Sequence, residues 1–324
     1  MLTNQSDWIF LAKGNANAVF SYRGEDPKLQ GLVLRLRLQL ADSQGYIPVQ
    51  SIVEYVNSKI RPSFKNGEIV DMSLVELAPG FAEALSGISH VALQKDEKYG
   101  ILLPNILPEY ERATNIVEMS KHIKFRFYQN DITVLELKPK WLYQLPAGVS
   151  TCRNCALERL RSETKRGNTG KSTGAGGGIS RPICPLDLLS PKTLQRWTDK
   201  VCSPLAEHMD VTQLKVQLLH VLQRQSSIKA IFELQNENNL DVHQNIRNLK
   251  GESSIGEDLS LSMTMKDVTV FITFGEDAAD IKIIDLDLKP AAKWSHWKTM
   301  EQKLVDSGFY DELMSPPCNR EVDL

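Results

Sequence analysis

The sequence predicts an α+β protein, on three observations. Short runs of alternating β-branched and aromatic residues recur along the chain, as strands require. Other stretches carry apolar residues at helical spacing. The length of 324 residues is enough for two lobes.

The elements follow in order. DWIFLA, AVFSYRG and LVLRLRLQL read as strands. IPVQSIVEYVNSKI sets Val49, Ile52, Val53, Val56 and Ile60 at helical spacing. SLVELAPG and HVALQKDEKYGILLPNIL follow, and then polar PEYERATN, which marks a lobe boundary near residues 104–112. HIKFRFY and ITVLELKPKW form a hairpin turning at Gln129, Asn130 and Asp131. Residues 152–163 and 190–224 are helical in pattern, and the low-complexity stretch 162–180 is expected to be a flexible loop. IKAIFELQ is a short apolar run, and SLSMTMKD is a connector into the strand VTVFITF. GEDAA turns the chain into DIKIIDLDLKP, and a last helix from Lys293 to Asp306 leads to a frayed tail.

Composition narrows the function. Hydrophobic residues are 42% and charged residues 24%, the balance of an ordinary soluble globular protein. The net charge is only -2, so any anion site must be a local cluster of bases. No apolar run is long enough for a bilayer, and MLTNQSDWIF is not a signal peptide. Five cysteines, an odd number, fit a reducing compartment better than a disulfide framework. The stretch GNTGKSTGAGGG imitates a phosphate-binding loop, but Lys165 stands where its first glycine belongs and no helix starts after it.

The chemistry concentrates in MKDVTVFITFGEDAADIKIIDLDLKP. Folded as a hairpin, it brings Asp267, just before the first strand, beside Asp285, just after the second. Phosphoryl transfer needs such a pair, one carboxylate for the attacking hydroxyl and one for Mg²⁺ on the nucleotide phosphates; ordinary strand-flanking aspartates have the same spacing. Gly14, Asn15, Ala16 and Asn17 form a tip of small residues able to fold over phosphates, though any hairpin can carry such a turn. Arg35 and Arg37 alternate to one strand face, which reaches phosphates or simply meets solvent. Lys138 and Lys140 flank Pro139 on a strand end that lines a cleft or protects an edge. Arg153 and Arg161 share a helix face, and Lys289 and Lys293 follow the second aspartate.

Together DWIFLAKGNANAVFSY, VLRL, ELKPKW, CRNC, PLDLLS, MKDVTVFITF and IIDLDLKP resemble, in order, the inositol-pentakisphosphate 2-kinase family. The resemblance implies a divergent bilobal protein-kinase-like fold. Residues 1–108 would be a smaller N-lobe and 109–324 a larger C-lobe around an ATP cleft, with a hinge at Leu103 to Leu107. It implies an ATP- and Mg²⁺-dependent enzyme that phosphorylates the 2-hydroxyl of inositol 1,3,4,5,6-pentakisphosphate. Gly14 to Asn17 and Arg35 would hold the ATP phosphates, and Glu136 would meet the ribose. Lys138 would sit by the transferred phosphate, with Asp267 as base and Asp285 on Mg²⁺. Lys140, Arg153, Arg161, Lys289 and Lys293 would bind the inositol phosphate. Where some members carry a histidine after the CRNC-like stretch, Leu157 stands here. The resemblance also implies a monomer, resident in the nucleus with the cytoplasm as a second location, with a small-molecule partner and neither nucleic acid nor membrane.

Other residues read more plainly. Cys152 and Cys155 could hold zinc with Cys184 or His208, but no second pair has zinc spacing, so packing thiols are expected. Trp294 and Trp297 read as a helix packing face, the helix around His220 as core and His208 as surface. A non-catalytic inositol-phosphate scaffold of the same fold is the alternative, against which both aspartates argue.

Overall fold

The computed structural model describes all residues except 40–44, 108–112, 130, 170–181, 208, 225, 237–241, 276–278 and 312–316, and describes 165–169 and 242 by their backbone alone. Two antiparallel sheets organise it. The first contains β1 (Trp8–Lys13), β2 (Asn17–Tyr22), β3 (Leu32–Arg37), β4 (Ser73–Glu76) and β5 (Tyr99–Pro104), in the order β1-β2-β3-β5-β4. Strand alternation turns Ala18, Phe20 and Tyr22 of β2 inward. There they pack with Phe81, Ala82 and Leu85 of α2 (Phe81–Ser89). Gly100 on β5 lies under Leu34 and Leu36, whose methyls would stand 2.6 and 2.9 Å from any Cβ placed there.

The second sheet contains β6 (Asn115–Ser120), β7 (Ile123–Phe127), β8 (Thr133–Leu137), β9 (Thr269–Phe274) and β10 (Asp280–Ile284), in the order β10-β9-β8-β7-β6. Helices α4 (Pro191–Cys202), α5 (Thr212–Arg224) and α6 (Ser226–Gln235) contribute to its core, with Trp197, Leu218 and Ile231 beside Phe125, Leu135 and Ile272. Helix α1 (Val49–Tyr55) runs on as a π-helical turn, Val56–Ile60, and Val56, Ile60 and Ile69 enter this second core. Ile69 bridges to Ile283 in parallel, and the Ile283 N–H donates to Glu68 O at 2.8 Å. The 56–69 segment thus stitches the first sheet's half of the chain to the edge of the second sheet. A third cluster joins Trp141 to Ile246, Leu259, Met263 and Trp297, between α7 (Val242–Arg247), α8 (Glu257–Met265) and α9 (Trp294–Asp306).

The mixed α+β class and the three hairpin strand pairs agree with the sequence reading. Several elements differ from it. IKAIFELQ forms α6 and SLSMTMKD lies largely in α8, not in a connector. Six of the nine α8 residues are buried, so no polar face marked it as a helix. Helix α2 and strand β6 were not anticipated. The helix after CRNC, α3 (Arg153–Thr169), takes in the start of the expected 162–180 loop; Lys171 and Ser172 lie outside the described residues. So do His208, Asn130 of the expected hairpin turn, residues 108–112 of the lobe boundary and the middle of GEDAA. His220 is exposed on α5, whose buried face carries Leu214, Leu218, Val221 and Leu222. The tail is not frayed at 317–324: Cys318 and Asn319 are buried, and Asp323 N–H donates to Leu189 O at 2.8 Å. No helix among the described residues is long and apolar enough to cross a membrane.

Candidate active site

The β9–β10 hairpin pairs Ile284 with Thr269, so Asp267 and Asp285 leave the sheet at the same end. Asp267 follows the last turn of α8, where its N–H donates to Thr264 O at 3.0 Å. Its side chain stays half exposed, at 51%, with Lys289 Nζ at 2.8 Å and Lys140 Nζ at 3.1 Å. Burial pushes the Asp267 carboxyl upward, but Lys289 and Lys140 hold it well below the usual carboxylate range. Asp285 accepts from the Thr269 hydroxyl and lies 3.6 Å from Lys138 Nζ. Lys293 caps α9 close by, and its ammonium is weakened by burial and by Lys289.

Two of these residues have strained backbones. Lys140 has φ 57° and Asp285 φ 64°, left-handed values that non-glycine residues adopt at a cost of about 1 kcal/mol or more. Gln235 on α6 clamps the Lys140 turn. Its amide donates to Lys140 O at 2.7 Å and to Met265 O at 3.0 Å, and its oxygen accepts from Leu142 N at 2.8 Å. One buried side chain therefore holds the lysine loop against the end of α8 that leads to Asp267. Beside it Lys266 is fully buried, bonded to Ser262 and set 4.8 Å over the Trp141 ring.

A second aspartate gathers the other bases. Asp287 accepts from Asn17 Nδ2 at 2.8 Å and pairs with Arg35 at 2.9 Å and Arg37 at 3.4 Å. Arg37 also donates to Asn17 Oδ1 at 3.0 Å. Burial raises the Asp287 carboxyl, but Arg35, the Asn17 bond, Arg37 and Lys289 bring it below its ordinary value. The small-residue tip lies alongside: Gly14 N–H closes it onto Asn17 O at 2.9 Å, and Gly14 and Asn15 are exposed. Ala16 O accepts from Leu38 N at 2.9 Å.

Three expected site residues are placed differently. Arg153 is buried and donates to Glu301 at 2.9 Å, with its guanidinium 3.9 Å over Trp141. Glu301 also accepts from His243 and Tyr310 at 2.8 Å each, and these partners hold it at about 2 against the upward push of burial. Arg153 thus completes a buried ion pair, which explains why it does not join the lysines around Asp267. Arg161 pairs with Glu158 at 2.8 Å, one helical turn back, and not with Asp267. Glu136 is taken by Arg126 on the neighbouring strand at 2.6 Å.

A small cavity lies beside the lysine loop, lined by Lys138, Lys140, His122, Asn154 and Glu158 among others. His122 is pushed down to about 4, first by burial and then by Lys140 and Lys138, so it is neutral at pH 7. Asp287, His122, Gln235 and Lys266 were missed in the sequence. Only Asp287 had a signal there, the D-x-D spacing in DLDLKP.

A loop of small residues, arginines on β3, lysines around Pro139 and an aspartate at each end of one hairpin thus meet in one region. Comparison with known proteins finds one family along most of the chain. The family described as inositol-pentakisphosphate 2-kinase matches residues 10–303. Similar relatives described as inositol-pentakisphosphate 2-kinase include that of Debaryomyces hansenii, 28% identical over 94% of this chain and 92% of the relative. That of Yarrowia lipolytica is 27% identical over 94% and 93%, and that of Saccharomyces cerevisiae 26% over 92% and 96%. With a family match across most of its length, the chain belongs to the inositol-pentakisphosphate 2-kinase family.

Proposed function

We propose that the protein transfers the γ-phosphoryl group of ATP to the 2-hydroxyl of inositol 1,3,4,5,6-pentakisphosphate, giving inositol hexakisphosphate. The observation that carries this reading is Asp267, half exposed and flanked by Lys140 and Lys289. A ligand with five phosphates needs cations from several segments, and the loop after β8, the 285–290 segment and the N-cap of α9 each deliver one, Lys140, Lys289 and Lys293. The two sheets are read as the two lobes of a kinase-like fold, residues 1–108 and 109–324, with the Asp287 contacts between them. Nuclear residence belongs to the same reading and rests on the family resemblance alone.

The Asp267 carboxylate accepts the hydrogen bond of the 2-hydroxyl and orients its oxygen toward the γ-phosphorus. A bond forms from that oxygen to phosphorus as the bond to the β–γ bridging oxygen breaks, releasing ADP. The hydroxyl proton passes to Asp267 and then to solvent. An aspartate held so acidic is a weak base, so its role is orientation first and proton acceptance late in the transfer. The ammonium groups of Lys140 and Lys289 each have three N–H donors, enough to keep Asp267 and bind phosphate oxygens together. Arg35 Nη2 and Arg37 Nε are buried without an acceptor among the described residues, which suits nucleotide phosphates. Asp285, with side-chain exposure of 48%, offers the hard oxygen that Mg²⁺ prefers. Magnesium, when bound, neutralises charge on the phosphates.

The test is incubation with ATP and the pentakisphosphate, read by anion chromatography. Hexakisphosphate with stoichiometric ADP is expected. Tight binding of the pentakisphosphate without turnover would make the protein a scaffold instead.

A further inference from the structure

We propose that Gln235 is a positioning residue for Lys140, fixing where that lysine stands relative to Asp267. The inference rests on the reading of Lys140 as a pentakisphosphate ligand and adds a residue buried too deeply to touch substrate itself. Lys140 shows the need. Its φ of 57° is left-handed, a region that a lysine avoids without outside support. The ion pair with Asp267 at 3.1 Å tethers only the far end of a flexible stem. The backbone from which the stem departs must be held by something else.

Gln235 is the last residue of α6 and is 1% exposed. Its Nε2 donates to Lys140 O at 2.7 Å and to Met265 O at 3.0 Å, and its Oε1 accepts from Leu142 N at 2.8 Å. One planar amide serves both carbonyls, so their separation follows from its geometry. Met265 ends α8, and Asp267 comes two residues later. The neighbouring Asn236 donates from Nδ2 to Leu142 O at 2.8 Å, so the end of α6 holds both polar backbone atoms of Leu142. Gln235 O, a helix-end carbonyl, accepts in turn from the Ser262 hydroxyl of α8 at 2.5 Å. Trp141 lies between, with the Arg153 guanidinium 3.9 Å and Lys266 Nζ 4.8 Å from its ring.

The carbonyl of Lys140, the ring of Trp141 and the backbone of Leu142 are thus each held by a different contact. A buried amide costs free energy unless its groups are paired, so packing alone is served as well by an apolar side chain of the same size. Here all three bonds go to the two segments that carry Lys140 and Asp267. Without the clamp the turn at Lys140 can relax to negative φ, which swings the lysine stem off the site.

Steady-state kinetics and urea unfolding of the full chain test the clamp. Gln235→Met keeps the volume and removes all three bonds. It should raise the Michaelis constant for the pentakisphosphate about tenfold and leave that for ATP within about twofold. In a Lys140→Ala background the same change should add less than about twofold, because the glutamine acts through the lysine. Ser227→Ala, on the same helix, loses a buried bond to Glu68 at 3.0 Å and should lower the urea midpoint without moving either constant. Gln235→Glu keeps an acceptor for Leu142 N and loses the amide donors, so it should shift the same constant, and it decides alone should Gln235→Met not fold. A folded variant with an unchanged pentakisphosphate constant, parallel rises of both constants, or full additivity with Lys140→Ala would overturn the proposal. An unchanged pentakisphosphate constant in Lys140→Ala itself would instead sink the reading of Lys140 on which the proposal rests, and the proposal with it.

Discussion

Asp267 and Asp287 are two aspartates ringed by cations, yet they are built for different work. Asp287 is 17% exposed and is held by two arginines and an asparagine from the first sheet. Asp267 is 51% exposed and is held by two lysines, one from the segment after β8 and one from the segment after β10. A buried arginine fork fixes geometry, whereas a lysine on a flexible stem can serve a carboxylate and an arriving phosphate at once. The first cluster joins two parts of the fold, and the second leaves its aspartate the more exposed.

Turnover should separate the two aspartates most. Asp267→Asn should lower kcat by about 10²–10⁴ while the Michaelis constant for ATP changes little, because hydroxyl orientation and proton acceptance go together. Near wild-type kcat would remove Asp267 from the chemistry.

Asp287→Asn should act on the fold instead. Neutralising it leaves two guanidinium groups, with side chains 12% and 8% exposed, facing each other without their counter-charge. A loss of about 3 kcal/mol in unfolding free energy is expected, read from urea titration. Asp267→Asn, which relieves an exposed group, should lose much less. Equal losses in the two variants would erase the distinction between the clusters.

The sequence showed the second cluster more clearly than the first. Asp267, Asp285, Lys138, Lys140 and Lys289 were readable because hairpin geometry and strand alternation are local. Asp287 was not, since its partners Asn17 and Arg35 come from the other end of the chain. Arg153 misled for a related reason: helix spacing names a face but not its neighbours, and Glu301 lies 148 residues away. Cys318 Sγ accepts from Cys152 N at 3.4 Å across 166 residues, so no spacing rule joins it to CRNC. Helix α8 was lost for a different cause, burial on nearly every side, which removes the periodicity that marks a surface helix.

The lysines around Asp267 should act on substrate binding. Each charge-assisted contact to phosphate is worth about 1.5–3 kcal/mol, so Lys140→Ala or Lys289→Ala should raise the Michaelis constant for the pentakisphosphate about ten- to a hundredfold. The constant for ATP should hardly move. Arg35→Ala should do the reverse. Parallel rises of both constants in all three variants would mean that the clusters do not divide the two ligands. Added salt should weaken the pentakisphosphate more steeply than ATP, as the lysines are the more exposed set.

The smallest effect concerns His122, which faces the lysine side. Burial, Lys140 and Lys138 lower its pKa to about 4, with Asp267 pulling weakly the other way, and Glu158 lies 3.8 Å from Nε2. The unfolded chain gains a proton on this histidine near pH 6.5, whereas the folded chain does not until about pH 4. Its contribution is therefore fully present above pH 6.5 and is lost as the pH falls from there toward 4. Between pH 7.5 and 5.5 that amounts to about 1 kcal/mol. Urea midpoints for wild type and His122→Gln should differ less at pH 5.5 than at pH 7.5 if glutamine fits less well, or cross if it fits equally well. In both cases the wild type loses more stability on acidification. A wild type that loses no more than the variant would show that His122 does not meet the positive field of Lys138 and Lys140, and the lysine side would then be more open to solvent than its geometry implies.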